Sequence, residues 1–123
     1  MSEEKIVSVV REFVEAYVKR DVEKMLSFFA EDTLWVDPMG TFKGKEELKR
    51  YLAWDVQTVP ELKIRDAGIG IMVSGNKAVC EWVFDGSTSD GRRWRDIPVI
   101  TVYEFSGGKI QQQHRAYRQA IDE

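Results

Sequence analysis

The feature of this sequence that most constrains its fold is a change in hydrophobic periodicity near residue 60. Before that point apolar residues recur every three or four positions, a spacing that places them on one face of an α-helix. After it, apolar and polar residues alternate, and β-branched and aromatic residues are frequent, which is typical of β-strands. The sequence therefore predicts helices first and a sheet afterwards.

Three helices are predicted before residue 60, at about Glu3 to Arg20, from Asp21 to near Asp32, and from Lys45 to Val56. Asp21 is placed to cap the second helix, because a carboxylate at this position accepts hydrogen bonds from free backbone N–H groups. The buried face of the first helix is predicted to consist of Ile6, Val9, Val10, Phe13 and Tyr17.

One short strand, Thr33 to Asp37, is predicted before a break at Pro38 and Gly40. Four further strands follow Pro60 and are separated by glycine-containing turns or loops, which favour hairpins between successive strands. These four strands are predicted at Leu62 to Val73, Lys77 to Asp85, Arg93 to Phe105 and Lys109 to Arg118.

Helices followed by a meander predict an α+β fold in which three N-terminal helices pack on a curved antiparallel sheet. We expect this sheet to form a cone with an interior pocket, which is one economical way to pack the helices against it. With 123 residues, of which 43% are hydrophobic, the chain can bury one core, so residues 1–123 are predicted to be a single domain.

Composition argues against several classes of partner. The net charge of -3 with interspersed signs predicts no nucleic-acid binding, and no apolar run is long enough to span a membrane. The start of the chain lacks a secretion signal, so a cytoplasmic location is expected. One cysteine, Cys80, and one histidine, His114, provide neither a disulfide nor a metal site, and no cofactor is expected.

Several short motifs occur in a characteristic order along nearly the whole chain. They are Glu12-Phe13-Val14, Phe28-Phe29-Ala30-Glu31-Asp32, Val36-Asp37-Pro38-Met39-Gly40, Lys43-Gly44-Lys45-Glu46-Glu47-Leu48 and Gly108-Lys109-Ile110. With these motifs the chain resembles the nuclear transport factor 2-like superfamily, near its SnoaL-like polyketide cyclase, ketosteroid isomerase and limonene epoxide hydrolase branches. The resemblance implies a cystatin-like α+β barrel.

The resemblance implies a catalytic role for Asp37, which stands where ketosteroid isomerases keep their proton-shuttling aspartate, in the same Asp-Pro-x-Gly context. The two hydrogen-bond donors of those isomerases fall on Phe13 and, within one residue, on Thr101. Because losing such a donor costs on the order of a hundredfold in rate, the residues argue against a steroid isomerase.

Comparison with the epoxide hydrolases places their Asp-Arg-Asp triad on Val83, Glu81 and Arg115, so the acid that opens the epoxide is absent. The same resemblance implies that Glu81 and Arg115 face each other across the pocket floor, where they can pair. Strand alternation turns Gln113 inward beside Arg115 and turns His114 outward. Glu81, Gln113 and Arg115 are therefore expected to orient polar substrate atoms.

Each candidate also has a structural interpretation. In this interpretation Asp37 is only a turn residue before Pro38, and Glu81 with Arg115 is an ion pair that closes the sheet. Most large aromatic residues in a small domain belong to the core. By fold analogy, the aromatic side chains predicted to line the pocket are Trp35, Tyr51 and Tyr117.

These residues predict a small-molecule pocket protein, and the resemblance implies an isomerase, cyclase or hydrolase that acts on a small hydrophobic substrate with Asp37 as base. The alternative is a non-catalytic ligand-binding or assembly domain of the same fold. An open pocket would favour the enzyme. A pocket filled by its own side chains, or an Asp37 fully engaged by backbone donors, would favour the alternative.

A homodimer is also expected. If Glu81 and Val83 face the pocket, their neighbours face outward, because side chains alternate along a strand. The resulting apolar stripe would be too large to leave in water and would pair with the same stripe of a second copy. Its residues are Cys80, Trp82, Phe84, Ile100 and Val102.

Overall fold

In the computed structural model, which describes residues 1–117, three helices lie against one face of a curved six-stranded sheet. The helices are α1 (Glu3–Val18), α2 (Val22–Leu26) and α3 (Gly44–Thr58). The strands are β1 (Phe29–Asp37), β2 (Gly40–Lys43), β3 (Glu61–Ser74), β4 (Lys77–Ser87), β5 (Arg93–Ser106) and β6 (Lys109–Tyr117). The predicted α+β fold is confirmed. Arg118, predicted as the last residue of β6, lies outside the described residues.

Local capping explains where the first two helices begin. The side chain of Ser2 accepts a hydrogen bond from the backbone N–H of Lys5, and that of Asp21 accepts one from Lys24. Helix α2 is shorter than predicted because the chain joins the sheet at Phe29, which is paired with Ile110 of β6. Strand pairing here prevails over the helical pattern of the sequence. No helix within residues 1–117 is long and apolar enough to cross a membrane.

The order of the strands in the sheet is β2-β1-β6-β5-β4-β3, and the sheet is not closed. Strands β3 to β6 form the predicted antiparallel meander. Strand β1 lies beside β6 and runs parallel to it, with Trp35 opposite Gln113. Strand β2, which the sequence pattern did not reveal, pairs with β1 as a hairpin. Because β1 and β6 run parallel, their C-terminal ends lie next to each other at the same end of the sheet.

An aromatic core joins α1 to the sheet. Phe13 of α1 packs edge-to-face against Phe29, with ring centroids 5.3 Å apart, and lies within 6.3 Å of the ring centroids of Trp35 and Tyr103. All four side chains are almost completely buried. Phe13 is thus a core residue, and its apolar ring contributes packing at the position where the isomerases have a donor.

The faces assigned to β4 from the sequence are wrong. Cys80, Trp82 and Phe84 point toward the helices and are at most 8% exposed, while Glu81 and Val83 lie on the outer face with Ile100. A shift of one residue moves every side chain of a strand to the other face. Apolar residues occur on both faces of β4, so the alternation of apolar and polar residues did not show which face is buried. Burial raises the pKa of the Cys80 thiol to about 12.

Glu81 consequently lies outside the pocket and is not paired with Arg115. Its carboxylate accepts a hydrogen bond from the backbone N–H of Ile69 and occupies the space beside Gly68, where a Cβ atom would lie 2.2 Å from the Glu81 Oε2. Gly68 is at φ +52° within an irregular stretch between Asp66 and Ile71 of β3. Glu81 therefore supports a β-bulge, and its role is structural.

The corrected face of β4 can be tested with a pair of truncations. Trp82→Ala should reduce the free energy of unfolding by about 3–5 kcal/mol, because it empties a core site beneath Arg11 of α1. Ile100→Ala removes a side chain that is 51% exposed and should change the free energy by only about 0.5 kcal/mol. Urea unfolding of both variants measures the difference. Equal losses would restore the original assignment.

Candidate functional site

The site is organised around an ion pair between β1 and β6. Because β1 and β6 are adjacent and Trp35 lies opposite Gln113, Asp37 and Arg115 follow two residues later on the same face. Arg115 Nη2 is 3.1 Å from Asp37 Oδ2. The arginine side chain is 6% exposed and the aspartate side chain 0%. The partner of Arg115 is thus Asp37, not Glu81.

The Asp37 carboxylate accepts three further hydrogen bonds. The indole N–H of Trp35 and the hydroxyl of Tyr51 donate to Oδ2 at 2.9 and 2.7 Å, and the backbone N–H of Met39 donates to Oδ1 at 2.8 Å. The carboxylate is fully enclosed and does not form part of the cavity wall. Asp37 is therefore not placed to touch a substrate in the cavity, contrary to the expectation from the sequence.

Arg115 is held by one hydroxyl and by several aromatic rings. Its Nη1 donates to the hydroxyl of Tyr17 at 2.8 Å, and its guanidinium carbon lies within 5.9 Å of the ring centroids of Tyr17, Trp35, Phe84 and Tyr117. Desolvation lowers the pKa of Arg115, but Tyr17, Tyr51 and the Asp37 carboxylate outweigh it, so the pKa is raised well above its usual value. The guanidinium is a permanent buried cation.

A second polar centre lies next to the first and was missed by the sequence analysis. Asp55 of α3 accepts hydrogen bonds from Arg20 Nη2 at 2.7 Å and from the hydroxyl of Tyr17 at 3.1 Å. Asp55 stands four residues after Tyr51, and this spacing places both on the same side of α3. The four-residue spacing from Tyr51 was the one indication in the sequence that Asp55 faces the cavity. Asp55 was overlooked because a charged residue on a helix is usually exposed to solvent.

Both centres border a cavity of about 560 Å³. Of the expected pocket residues, Tyr51, Arg115 and Tyr117 line it, whereas Trp35 is completely buried behind the wall. Gln113 is also buried and does not line the cavity. The wall is mainly aromatic and aliphatic, with Tyr17, Phe84, Trp94, Leu62, Ile97 and Val99 among its residues.

The predicted orientations of Gln113 and His114 match the structure. Gln113 is 1% exposed and faces the interior, and within the described residues its Oε1 atom has no hydrogen-bond partner. His114 is exposed on the outer face, 3.3 Å from the side chain of Gln112. Among residues 1–117, no group of three or more histidine, cysteine, aspartate or glutamate side chains is arranged to hold a metal ion.

The tyrosines around the cavity are held in their neutral form. Burial raises the pKa of Tyr17, Tyr51 and Tyr117 above the usual value near 10. Tyr51 in addition donates to the Asp37 carboxylate, which disfavours a second negative charge there. Tyr17 and Tyr51 therefore act as hydrogen-bonding phenols at any pH near neutrality.

The raised pKa values predict the alkaline behaviour of the protein. The fourth tyrosine, Tyr103, is also buried and has a raised pKa, so the folded protein should show little tyrosinate absorbance near pH 10.5. The unfolded chain ionises near pH 10, so stability should be lost as the pH rises above that value. Absorbance at 295 nm, with and without denaturant, measures this. Normal ionisation of the native tyrosines would contradict their burial.

Comparison with known proteins places the chain in a family. Residues 10–113 match the SnoaL-like domain, and the chain belongs to that family. No curated protein matches the sequence. The family assignment agrees with the resemblance identified from the motifs.

Solved structures support the same fold at low sequence identity. An NTF2-like protein of unknown function from Burkholderia pseudomallei is 21% identical, with a TM-score of 0.83, over 96% of this chain and 92% of that one. A putative isomerase from Bacillus subtilis is 19% identical, with a TM-score of 0.83, over 96% and 90%. An LEH-like epoxide hydrolase of M. tuberculosis is 15% identical, with a TM-score of 0.79, over 94% and 84%.

Proposed function

We propose that the cavity binds a small, largely apolar, ring-containing molecule through an oxygen atom that accepts a hydrogen bond from Arg115. We further propose that the protein is an enzyme of the isomerase, cyclase or hydrolase type that polarises this oxygen during acid–base chemistry. The observation that carries the proposal is a buried, charge-balanced guanidinium on the wall of an open aromatic cavity.

The size and lining of the cavity support a small organic ligand. Pockets for such ligands usually measure about 300–1,000 Å³ and combine apolar walls with a few polar groups. The cavity here is about 560 Å³, and its lining includes the hydrogen-bonded polar groups of Tyr17, Asp55 and Arg115. Flat rings can pack against the aromatic walls while a polar substituent reaches these groups.

The hydrogen bonding of Arg115 leaves donors for a ligand. A guanidinium has five N–H groups, and each terminal nitrogen carries two of them. Arg115 uses Nη1 for Tyr17 and Nη2 for Asp37, so one hydrogen remains on each terminal nitrogen for a carbonyl or hydroxyl oxygen. Because Asp37 balances the charge, the ligand oxygen can be neutral at first and become negative during the reaction.

Asp37 is then a positioning residue. It fixes the guanidinium of Arg115 and the hydroxyl of Tyr51, both of which border the cavity, without touching the ligand itself. Fixed donors stabilise a developing negative charge without reorganising during the reaction. Chemistry at this site would still depend on Asp37, as the sequence led us to expect, but through its neighbours.

One observation favours the alternative of a non-catalytic binding domain. Each oxygen of the Asp37 carboxylate is already hydrogen-bonded within the protein, and a fully engaged carboxylate can be a purely structural element. The open cavity distinguishes this alternative from an assembly domain without a ligand. Binding with no turnover would be its experimental signature.

Substitution of Asp37 tests the proposed enzyme. Asp37→Asn should lower turnover of small cyclic ketones, enones or epoxides on the order of a hundredfold, because Arg115 and Tyr51 lose their anionic anchor. Asp32→Asn, an exposed carboxylate on the same strand, is the matched control and should retain the parental rate. Circular dichroism establishes that both variants are folded. Equal turnover by parent and Asp37→Asn would refute the role of Asp37.

Binding is measured separately by quenching of the fluorescence of Trp54 and Trp94, which line the cavity. Arg115→Gln should weaken the binding of ketones by about 10- to 100-fold, as expected for a hydrogen bond to a charged group. A folded Arg115→Gln variant that binds ketones as tightly as the parent would overturn the proposed ligand contact.

The expected homodimer stays a prediction, now with a revised surface. The outer face of β4 and β5 carries Val79, Val83, Ile100 and Val102 together with Lys77 and Glu104, so it offers apolar surface and both charges. A two-fold pair of such faces would be self-complementary. Ile100→Glu should therefore convert a dimer into a monomer in light scattering. A monomeric parent at micromolar concentration would exclude this dimer.

A further inference from the structure

We infer that Asp55 is the general base of this site, taking a proton from the carbon next to a ligand carbonyl whose oxygen is bound by Arg115. This inference rests on the proposed function, since it assigns the proton acceptor for a ligand held in the same cavity. The substrate class is accordingly an enolisable ring ketone.

Asp55 is the carboxylate that reaches the cavity. It lines the cavity wall, and its side chain is 13% exposed, whereas the Asp37 side chain is 0% exposed and lies off the wall. Among residues 1–117, Asp55 contributes the only acidic side chain to the lining. A general base has to come within hydrogen-bond reach of the proton that it removes, and a carboxylate on the cavity wall is placed to do so for a ligand bound there.

The hydrogen bonds of Asp55 orient the carboxylate and leave one oxygen available. Arg20 Nη2 and the Tyr17 hydroxyl both donate to Oδ2, at 2.7 and 3.1 Å. Oδ1 accepts no hydrogen bond from the part of the chain that the structure describes. In contrast to Asp37, which has partners on both oxygens, Asp55 retains lone pairs for a proton from a ligand.

Tyr17 sets the spacing between Asp55 and Arg115. Its hydroxyl accepts from Arg115 Nη1 at 2.8 Å and donates to Asp55 Oδ2 at 3.1 Å. The Tyr17 hydroxyl thus lies between Arg115, which would bind the ligand oxygen, and Asp55, which would accept the proton. A carbonyl oxygen and the C–H group on the adjacent carbon are a short distance apart in one molecule and match this arrangement.

The proton-transfer step balances without any additional reagent. The C–H bond next to the carbonyl breaks and its proton binds Asp55. Its electron pair forms a carbon–carbon double bond, while the π electrons of the carbonyl group move to the oxygen to give an enolate. Arg115 stabilises the negative oxygen through its N–H groups. Return of the proton from Asp55 to the same carbon or to a conjugated carbon regenerates the carboxylate, and the second outcome is an isomerisation.

Deuterium exchange tests this step directly with 2-tetralone, a two-ring enolisable ketone. In D₂O, the parent should accelerate exchange of the protons next to the carbonyl, followed by ¹H NMR. Asp55→Asn should lower that acceleration on the order of a hundredfold or more, since general bases contribute about 10²- to 10⁴-fold. The dissociation constant from tryptophan fluorescence should change less than about threefold, because Arg115 still binds the oxygen.

Glu46→Gln is the matched control, as Glu46 is an exposed carboxylate of the same helix and should leave the exchange rate unchanged. If Asp55→Asn does not fold because Arg20 loses its partner, the double variant Arg20→Gln/Asp55→Asn removes both charges and is tested instead. Loss of exchange in either folded variant, with binding retained, supports Asp55 as the base.

The remaining outcomes separate the two proposals. Parental exchange in a folded Asp55→Asn variant overturns the inference and leaves the proposed binding intact. Arg115-dependent binding without exchange above that of the buffer also overturns the inference, and it favours a binding domain. If the parent does not bind 2-tetralone at all, the proposed function fails for this ligand class, and the role of Asp55 fails with it.

Discussion

A guanidinium and a carboxylate are both costly to remove from water, yet Asp37 and Arg115 are among the most enclosed polar side chains of the chain. A buried pair is tolerated only when further hydrogen bonds satisfy the remaining polar atoms. Trp35, Tyr51 and the Met39 N–H do this for the carboxylate. The guanidinium has the Tyr17 hydroxyl as a further partner, and its buried Nε atom has none among the described residues. Tyr17 and Tyr51 therefore have two roles, since they line the cavity and also stabilise the charges next to it.

The two ion pairs of the site differ in a way that matters for chemistry. In the Asp37–Arg115 pair the carboxylate is fully enclosed and only the guanidinium borders the cavity, whereas both Asp55 and Arg20, between α3 and the end of α1, line it. Arg20 follows α1 and has a backbone φ of +58°, which is unfavourable for residues other than glycine. Its guanidinium donates to Asp55 and to the Tyr17 carbonyl, and these contacts accompany the strained backbone.

Much of the fold could be predicted because hydrophobic periodicity reports local structure. The three helices and the meander of β3 to β6 each leave such a pattern. Strand β2 has only four residues, too few to show a period, and the parallel contact of β1 with β6 is decided by residues far apart in sequence. The faces of β4 were ambiguous because both carry apolar residues. Glu81 and Asp85, which share one face, were the indication that this face meets solvent.

The site was harder to predict than the fold. The candidate site residues came from the family resemblance and fold analogy, and of the seven only Tyr51, Arg115 and Tyr117 line the cavity. The partner of Arg115 could not be deduced, because it depends on which strand lies next to β6. Asp55 was overlooked, since a carboxylate on an amphipathic helix is ordinarily taken as part of its solvated face.

The parallel pairing of β1 with β6 also affects the order of folding. The Asp37–Arg115 hydrogen bond joins residues 78 positions apart, and the Tyr17–Arg115 bond spans 98 positions. Contacts over such separations close late, because loop entropy opposes them until much of the chain is ordered. During synthesis the helices emerge long before β6. The aromatic face of α1 can therefore complete its packing against the sheet only after β6 has been made. The cavity is thus completed only when the sheet has assembled, because Arg115 and Tyr117 of its wall belong to β6.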